Sequence, residues 1–377
     1  MRSRTLAVAK KEAREILRDP ITLGIAIFLP LVMMFLFAYA ITLDVKEIPL
    51  AVLDLDGSAA SREYRAAFLQ SGYFRLHAVA RDLQEIEQLL DRGAVRVALV
   101  IPPWFSRRLE QGLPAEVQTL ADGSFPNTTI VALNYVEAIN AAQDGRIQAD
   151  YLARRFGLRA GQPAIKAQPR VRYNPDLRSA NYIVPGLFAV ILMAFPPLLA
   201  ALAVVREKER GSIQQIFSSP VRSWEFIGGK MLPYAGIAFL EMMLLVTAAL
   251  LWFRVPVRGS LVLLLLLSLL YVACTVGIGL LVSTLTQSQV VAVLLAIVLT
   301  LMPSFLFSGF LFPIAGMPPF FRYYTYLFPA RYFNDIARGI PLRGVGLGDL
   351  WLNSLLLLLY ASAMLALASL RFKKKIG

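Results

Sequence analysis

Six stretches of the chain are apolar for long enough to cross a ~30 Å hydrocarbon layer as helices: 21–43, 181–205, 227–253, 260–284, 289–313 and 350–370. They are unevenly spaced. The first stands alone near the N-terminus, residues 44–179 follow with the mixed pattern of a water-soluble fold, and the other five come almost without pause. The pattern predicts a polytopic α-helical membrane protein with six transmembrane helices, plus an α/β domain outside the membrane between the first two. The first stretch is too long for the apolar core of a cleaved leader and lacks a small-x-small site before Asp44, so it reads as a retained span.

Residues 3–18 predict an amphipathic helix with Leu6, Ala9, Ala13, Ile16 and Leu17 on one face and basic residues on the other. Such a helix lies in the headgroup plane with its cations toward anionic lipid. Asp19-Pro20 ends it. In 44–179, strand patterns at 48–54, 75–80, 95–101 and 117–120 alternate with helix patterns at 58–70, 82–92, 103–111 and 125–156. Residues 157–179 read as the linker returning to the membrane. Prolines at 185, 196, 197, 233, 303 and 313 predict bent spans, which suit a bundle that lines a pathway or changes shape.

The chain is 57% hydrophobic and carries a net charge of +13. Its cations gather at membrane boundaries rather than in a nucleic-acid-binding patch, and no nucleic-acid partner is expected. Arg2, Arg4, Lys10, Lys11, Arg14 and Arg18 precede the first span, and Arg371, Lys373, Lys374 and Lys375 follow the last. The positive-inside rule then places both termini and the loop after the second span in the cytoplasm, and 44–179 outside. Two segments do not follow the rule. Loop 285–288 has no charge, whereas 314–349 carries Arg322, Arg331, Arg338 and Arg343. With one cysteine (Cys274) and one histidine (His77), the chain offers no intrachain disulfide, no His/Cys metal site and no second histidine for a triad.

Few motifs carry chemistry. Asp54-Leu-Asp56-Gly57-Ser58 offers two carboxylates, but nothing at calcium-loop spacing follows, and Asp56 or Ser58 reads better as a helix N-cap. Asp122-Gly-Ser-Phe-Pro-Asn-Thr128 reads as a turn and first helical turn, and its Asn127 fits a glycosylation sequon. Gly228-Gly229-Lys230 lacks the upstream glycine of a phosphate loop. No catalytic role, metal or cofactor is therefore assigned to this chain.

Three regions carry functional expectations. In loop 206–226, Arg206-Glu207-Lys-Glu-Arg210 extends the second span, Gly211 breaks it, and Ser212 with Gln215 forms a capping-box pattern. Pro220 disfavours helix at Ser219, so the new helix is short. It presents Ile213, Ile216 and Phe217 on one side, as teeth for a groove in a partner. Glu241 is the ionisable residue expected deep inside a span, where a charge costs ~2.5–3.5 kcal/mol, and it is a pathway candidate or a structural hydrogen-bonding group. Segment 310–348, with Pro313, Pro318, Arg331, Tyr332 and many aromatics, reads as short helices folded at or re-entering the outer face, an outer-gate candidate or an interfacial anchor.

Several strings, in this order and spacing, resemble the type-2 ABC exporter permeases (the ABC-2 family), in the multidrug branch with a large external domain. They are Arg206-Glu-Lys-Glu-Arg-Gly-Ser-Ile-Gln-Gln215, Phe253-Arg-Val-Pro-Val-Arg-Gly-Ser260, Phe307-Ser-Gly-Phe-Leu-Phe-Pro313, Met317-Pro318, Phe328-Pro-Ala-Arg-Tyr-Phe333 and Arg338-Gly-Ile-Pro-Leu-Arg-Gly344. Asp122-Gly-Ser-x-Pro-Asn-Thr128 also resembles that branch, so the likeness covers essentially the whole chain. The resemblance implies that 3–18 is the connecting helix beside an ATPase, that 212–219 is the coupling helix seated in it, and that 314–348 closes the exit. It implies a second permease chain, identical or paralogous, and ATP-binding subunits that hold ATP and Mg. A periplasmic adaptor is a further expected partner, beside the membrane lipids. The expected setting is the bacterial inner membrane, and the expected cargo is amphipathic or drug-like. Two other readings stay open: a lipid or glycan exporter permease, and a non-transporting envelope scaffold or receptor that uses 44–179.

Overall fold

In the computed structural model, residues 4–41, 47–124, 126–156, 173–174, 178–214 and 219–372 are described. The chain divides into two compact units, Met1–Thr42 with Val171–Gly377, and Leu43–Arg170.

The first unit opens with α1 (Arg4–Arg18) and α2 (Pro20–Ala40). Asp19 separates them: its carboxylate accepts the Thr22 amide at 3.1 Å and the Thr22 hydroxyl at 2.6 Å, and Pro20 takes the first helical position, where no amide is needed.

In the second unit, β1 (Ile48–Asp54), β2 (Phe74–Val79), β3 (Val97–Ile101) and β4 (Gln118–Ala121) form one sheet of order β2-β1-β3-β4. The β1 pairings are parallel, and β3 runs antiparallel to β4. The helices α3 (Ala59–Gln70), α4 (Leu83–Asp91), α5 (Phe105–Glu110) and α6 (Pro126–Phe156) complete the unit. Strand alternation sorts its side chains into two cores: Ile48, Leu50 and Val52 pack with Tyr64, Phe68, Phe74 and Phe105, while Ala51 and Leu53 pack with Ile86, Val95 and Ala98. Ser58 caps α3, and Asp54 accepts from the Asp56 and Gly57 amides and the Ser61 hydroxyl. The Asp-Leu-Asp motif is therefore loop chemistry. Asp122 likewise accepts from the Ser124 amide and pairs with Arg96. The side chain of Asn127 and most of the 157–179 linker lie outside the described residues.

The remaining spans are α7 (Ser179–Glu209), α8 (Ser223–Leu251), α9 (Leu261–Leu285), α10 (Gln289–Phe307) and α13 (Leu347–Arg371). With α2 they make six helices long and apolar enough to cross a membrane. Helix α7 is the central one, buried along most of its length. The fifth span is interrupted by a π-helical turn, Ile297–Leu301, in which the Met302 amide reaches back to the Ile297 carbonyl. Pro303, just beyond, has no amide to give and would crowd the carbonyl four residues earlier, so the widened turn accommodates it.

That span ends at Phe307, not at 313 as the hydropathy suggested. The carbonyls of Ser308, Gly309 and Phe310 are taken by Asn334 Nδ2 (3.0 Å), Arg338 Nη1 (2.8 Å) and Arg338 Nη2 (3.0 Å), so the chain leaves the helix there. Beyond lie α11 (Pro319–Tyr324) and α12 (Pro329–Arg338). The first is exposed, but α12 is an interior helix with Tyr332, Phe333, Ile336 and Ala337 buried against α7, α9 and α13.

Candidate functional site

At one end of the bundle α1 lies across α8, and their contact depends on Gly229. A Cβ there would sit 2.6 Å from Val8 Cβ and 2.9 Å from the Thr5 carbonyl, so only glycine admits this approach. The inward face of α1 is Ala9, Glu12 and Ile16, whereas Leu6 and Leu17, on the same apolar face in the sequence pattern, are exposed. The helix is thus three-sided: one face packs on the bundle, an apolar edge is free, and a basic edge completes the turn.

Glu12 is buried because a buried lysine meets it. Lys230 Nζ, with no exposed side-chain surface, donates to both Glu12 carboxylate oxygens at 2.8 Å and lies 3.1 Å from Glu207 Oε2. Tyr234 OH donates to Glu12 Oε1 at 3.1 Å. Lys11 donates to Glu207 and pairs with Glu15 at 2.9 Å. Burial opposes the charge on Lys11, but its bonds to Glu207 and Glu15 and the charges of Glu207 and Glu12 prevail, and it holds its proton more tightly than an ordinary lysine. Glu12, Glu15 and Glu207 offer carboxylate oxygens within 4.8 Å of one another, a spacing fit for a metal. Lys11 and Lys230 already supply the countercharge.

Glu207 thereby links the end of α7 to α1 and α8 at once. Beside it, Arg206 Nη1 donates to Asp19 Oδ2 at 3.1 Å. The Asp19 carboxyl is lowered to about 2, chiefly by the hydroxyl and amide of Thr22 and then by Arg206. Gly211 takes the left-handed conformation (φ +72°) that ends the helical run, and the Ser212 hydroxyl donates to the Glu207 carbonyl at 3.3 Å. Ile213 is buried in the chain's own core at 6% exposure. It anchors the loop and is not the protruding tooth that the sequence suggested. Gln215, Ile216 and Phe217 lie outside the described residues. The Pro220 carbonyl accepts from Arg4 at 2.7 Å, which ties the far side of the loop to α1.

The uncharged loop 285–288 also sits at this end. Lys208 Nζ donates to the carbonyls of Ser283 (2.5 Å) and Thr286 (3.0 Å), and Glu209 accepts from Gln289. Its charges are supplied from α7, which explains why the loop carries none of its own. Phe372, just past α13, is at the same end, where its carbonyl accepts from the Ser223 hydroxyl at 2.8 Å.

Under this ion-pair cluster lies a cavity of about 770 Å³, lined among others by Glu12, Glu15, Arg206 and Glu207. Glu241 is elsewhere on α8, on the same inward stripe as Lys230, Tyr234 and Ala238. It is 2% exposed, and both carboxylate oxygens lack a hydrogen-bond partner among the described residues. Glu241 does not line that cavity, and it is not alone in its burial, because Lys230 shares it.

The expected gate residues separate into two groups. Arg331 donates to Thr325 Oγ1 and stacks 3.7 Å over the Tyr326 ring, and Tyr332 OH donates to the Tyr326 carbonyl at 2.8 Å. Together they hold the turn between α11 and α12. Pro313 and Pro318 instead precede two short, exposed helical turns.

Lys230, the centre of this ion-pair cluster, is not singled out by the sequence, where it stands in a Gly-Gly-Lys string that resembles only part of a phosphate loop. The available signal was its register: Lys230, Tyr234 and Glu241 fall on one helical stripe.

Residues 20–370 match the profile of ABC-2 family transporter proteins. The chain is similar to the probable multidrug ABC transporter permease YbhS of Escherichia coli K12, 33% identical over 99% of this chain and 97% of that one. It is similar to the probable multidrug ABC transporter permease YbhR of the same organism, 30% identical over 99% of each. The inner membrane transport permease YhhJ, also from that strain, is 26% identical over 97% of this chain and 96% of its own length.

Proposed function

The chain belongs to the ABC-2 transporter family, and from that premise we propose that it is the transmembrane permease subunit of an ATP-driven exporter of amphipathic or drug-like compounds. In this reading the end that carries α1 and loop 206–226 faces the cytoplasm of a bacterial cell, and the membrane is the inner one. ATP and Mg are held by a separate ATP-binding subunit, which docks on loop 206–226. A second permease chain completes the pathway, and a periplasmic adaptor receives the cargo.

The observation that carries the reading is the three-way junction at Lys230. Glu12 belongs to α1, Glu207 to the helix that leads into the loop, and Lys230 to the helix that leads out of it. A load applied to loop 206–226 therefore meets the second span, the third span and the N-terminal helix as one body. Such a rigid junction is what converts a local push into a tilt of whole spans. Glu241, farther along the stripe of Lys230, is the pathway candidate, and a cationic group of the cargo would supply its missing partner. Arg331 and Tyr332 serve the outer gate by fixing the turn between α11 and α12.

A mild-detergent pull-down of the tagged chain, read by mass spectrometry, tests this. A stoichiometric ATP-binding subunit is expected, lost on Phe217→Ala while the chain stays in the membrane. A chain that purifies alone, correctly inserted, would overturn the exporter reading.

A further inference from the structure

The charges around the 770 Å³ cavity do not balance. Its walls carry five cations (Arg4, Lys11, Arg18, Arg206, Arg210) and four carboxylates (Glu12, Glu15, Asp19, Glu207). Every carboxylate has a cationic partner: Asp19 has Arg206, Glu15 has Lys11, Glu12 has Lys230 and Lys11, and Glu207 has Lys11 and Lys230. Arg4 faces Glu225 and the Pro220 carbonyl. The guanidinium groups of Arg18 and Arg210 alone among these cations have no ion pair or hydrogen bond among the described residues. Both are exposed at the rim.

The cavity lies where the first and second spans change from apolar to charged sequence, lined by Thr22 at the start of one and by Ala203 and Arg206 at the end of the other. That is the headgroup level of a bilayer. Val8, Ile16 and Ala203 give it an apolar wall, and Leu6 and Leu17 leave an exposed apolar edge on the helix that roofs it.

From these observations we propose that the cavity is a binding site for the phosphate of an anionic membrane lipid, gripped by Arg18 and Arg210. Guanidinium is suited to this task because its fork presents two donors to two phosphate oxygens. The glycerol and upper acyl carbons lie along the apolar wall. The lipid then fills the gap between the N-terminal helix and the second span, beside the Lys230 junction. The inference depends on the membrane placement of the spans and not on the docking of an ATPase.

Native mass spectrometry of the full chain in mild detergent tests it, with phosphatidylglycerol, phosphatidylcholine of the same acyl chains, and inorganic phosphate as separate probes. One phosphatidylglycerol per chain is expected to survive delipidation, with phosphatidylcholine and free phosphate lost. Arg18→Gln with Arg210→Gln is expected to lower that retention by about 30-fold, whereas Arg14→Gln, exposed on the same helix but away from the cavity, leaves it unchanged. Equal retention of both lipids, or an equal fall with Arg14→Gln, would overturn the site in favour of diffuse surface charge. Phosphate binding as tight as that of phosphatidylglycerol would overturn the lipid as its occupant. Loss of a bound ATP-binding subunit in the double variant, with lipid retention intact, would make these arginines a protein-docking surface and also overturn the proposal.

Discussion

Lys230 and Glu241 lie on the same helix and face the same interior, yet their circumstances are opposite. Lys230 is enclosed by two carboxylates and rests 5.5 Å from the Phe226 ring. Glu241 has no hydrogen-bond partner among the described residues. Desolvating the ions of a buried pair costs nearly as much as their attraction returns, so such a pair adds little net stability, but removing one member strands the other. Lys230→Met is therefore expected to destabilise the detergent-solubilised chain by about 3–5 kcal/mol, and Lys230→Met with Glu12→Met to recover a large part of that loss. Thermal unfolding followed by tryptophan fluorescence measures both. A single variant as stable as the parent would show that the junction is held by packing instead.

At the scale of elements, the N-terminal helix and the third span form one unit because a glycine lets them touch. Gly229→Val places three carbons where Val8 and the Thr5 carbonyl now sit. Overpacking of this kind costs about 1–3 kcal/mol and is expected to open the helix–helix contact on the order of tenfold more often. Limited trypsinolysis at Lys10, Lys11 and Arg14, read by mass spectrometry, reports that opening, and an unchanged cleavage rate would count against the contact. Helix α12 teaches the complementary lesson. The sequence placed it among short re-entrant helices at the outer face, but Arg338 is stacked 3.6 Å over Tyr182 and donates to the carbonyls of Tyr182, Gly309 and Phe310. A guanidinium with a hydrogen bond at each of its three nitrogens is compatible with an interior position.

The whole molecule joins a membrane bundle to a unit with its own sheet and two cores of its own. A sheet covered on both faces buries enough apolar surface to fold without help. The excised segment 43–170 is expected to be soluble, with mixed helix and strand signal by circular dichroism and a single cooperative thermal transition. An aggregating or non-cooperative product would mean that the bundle is needed to fold it.

Periodicity alone determined the six spans, the inserted unit, and nearly every strand and helix within it. Each of those signals is local: twenty apolar residues, or an alternation of two, say the same thing wherever they occur. The cap of α3 was legible to within Asp56 or Ser58 for the same reason, since a cap reaches only three residues along the chain. The tertiary structure decided what depends on partners distant in sequence. Glu12 and Lys230 are 218 positions apart, and neither alone says that it is buried. The uncharged loop 285–288 and the early end of the fifth span were likewise settled by Lys208, Asn334 and Arg338, which reach them from other elements. A buried charge or an unwound carbonyl is tolerated only where a partner stands, and where the partners stand is a property of the fold.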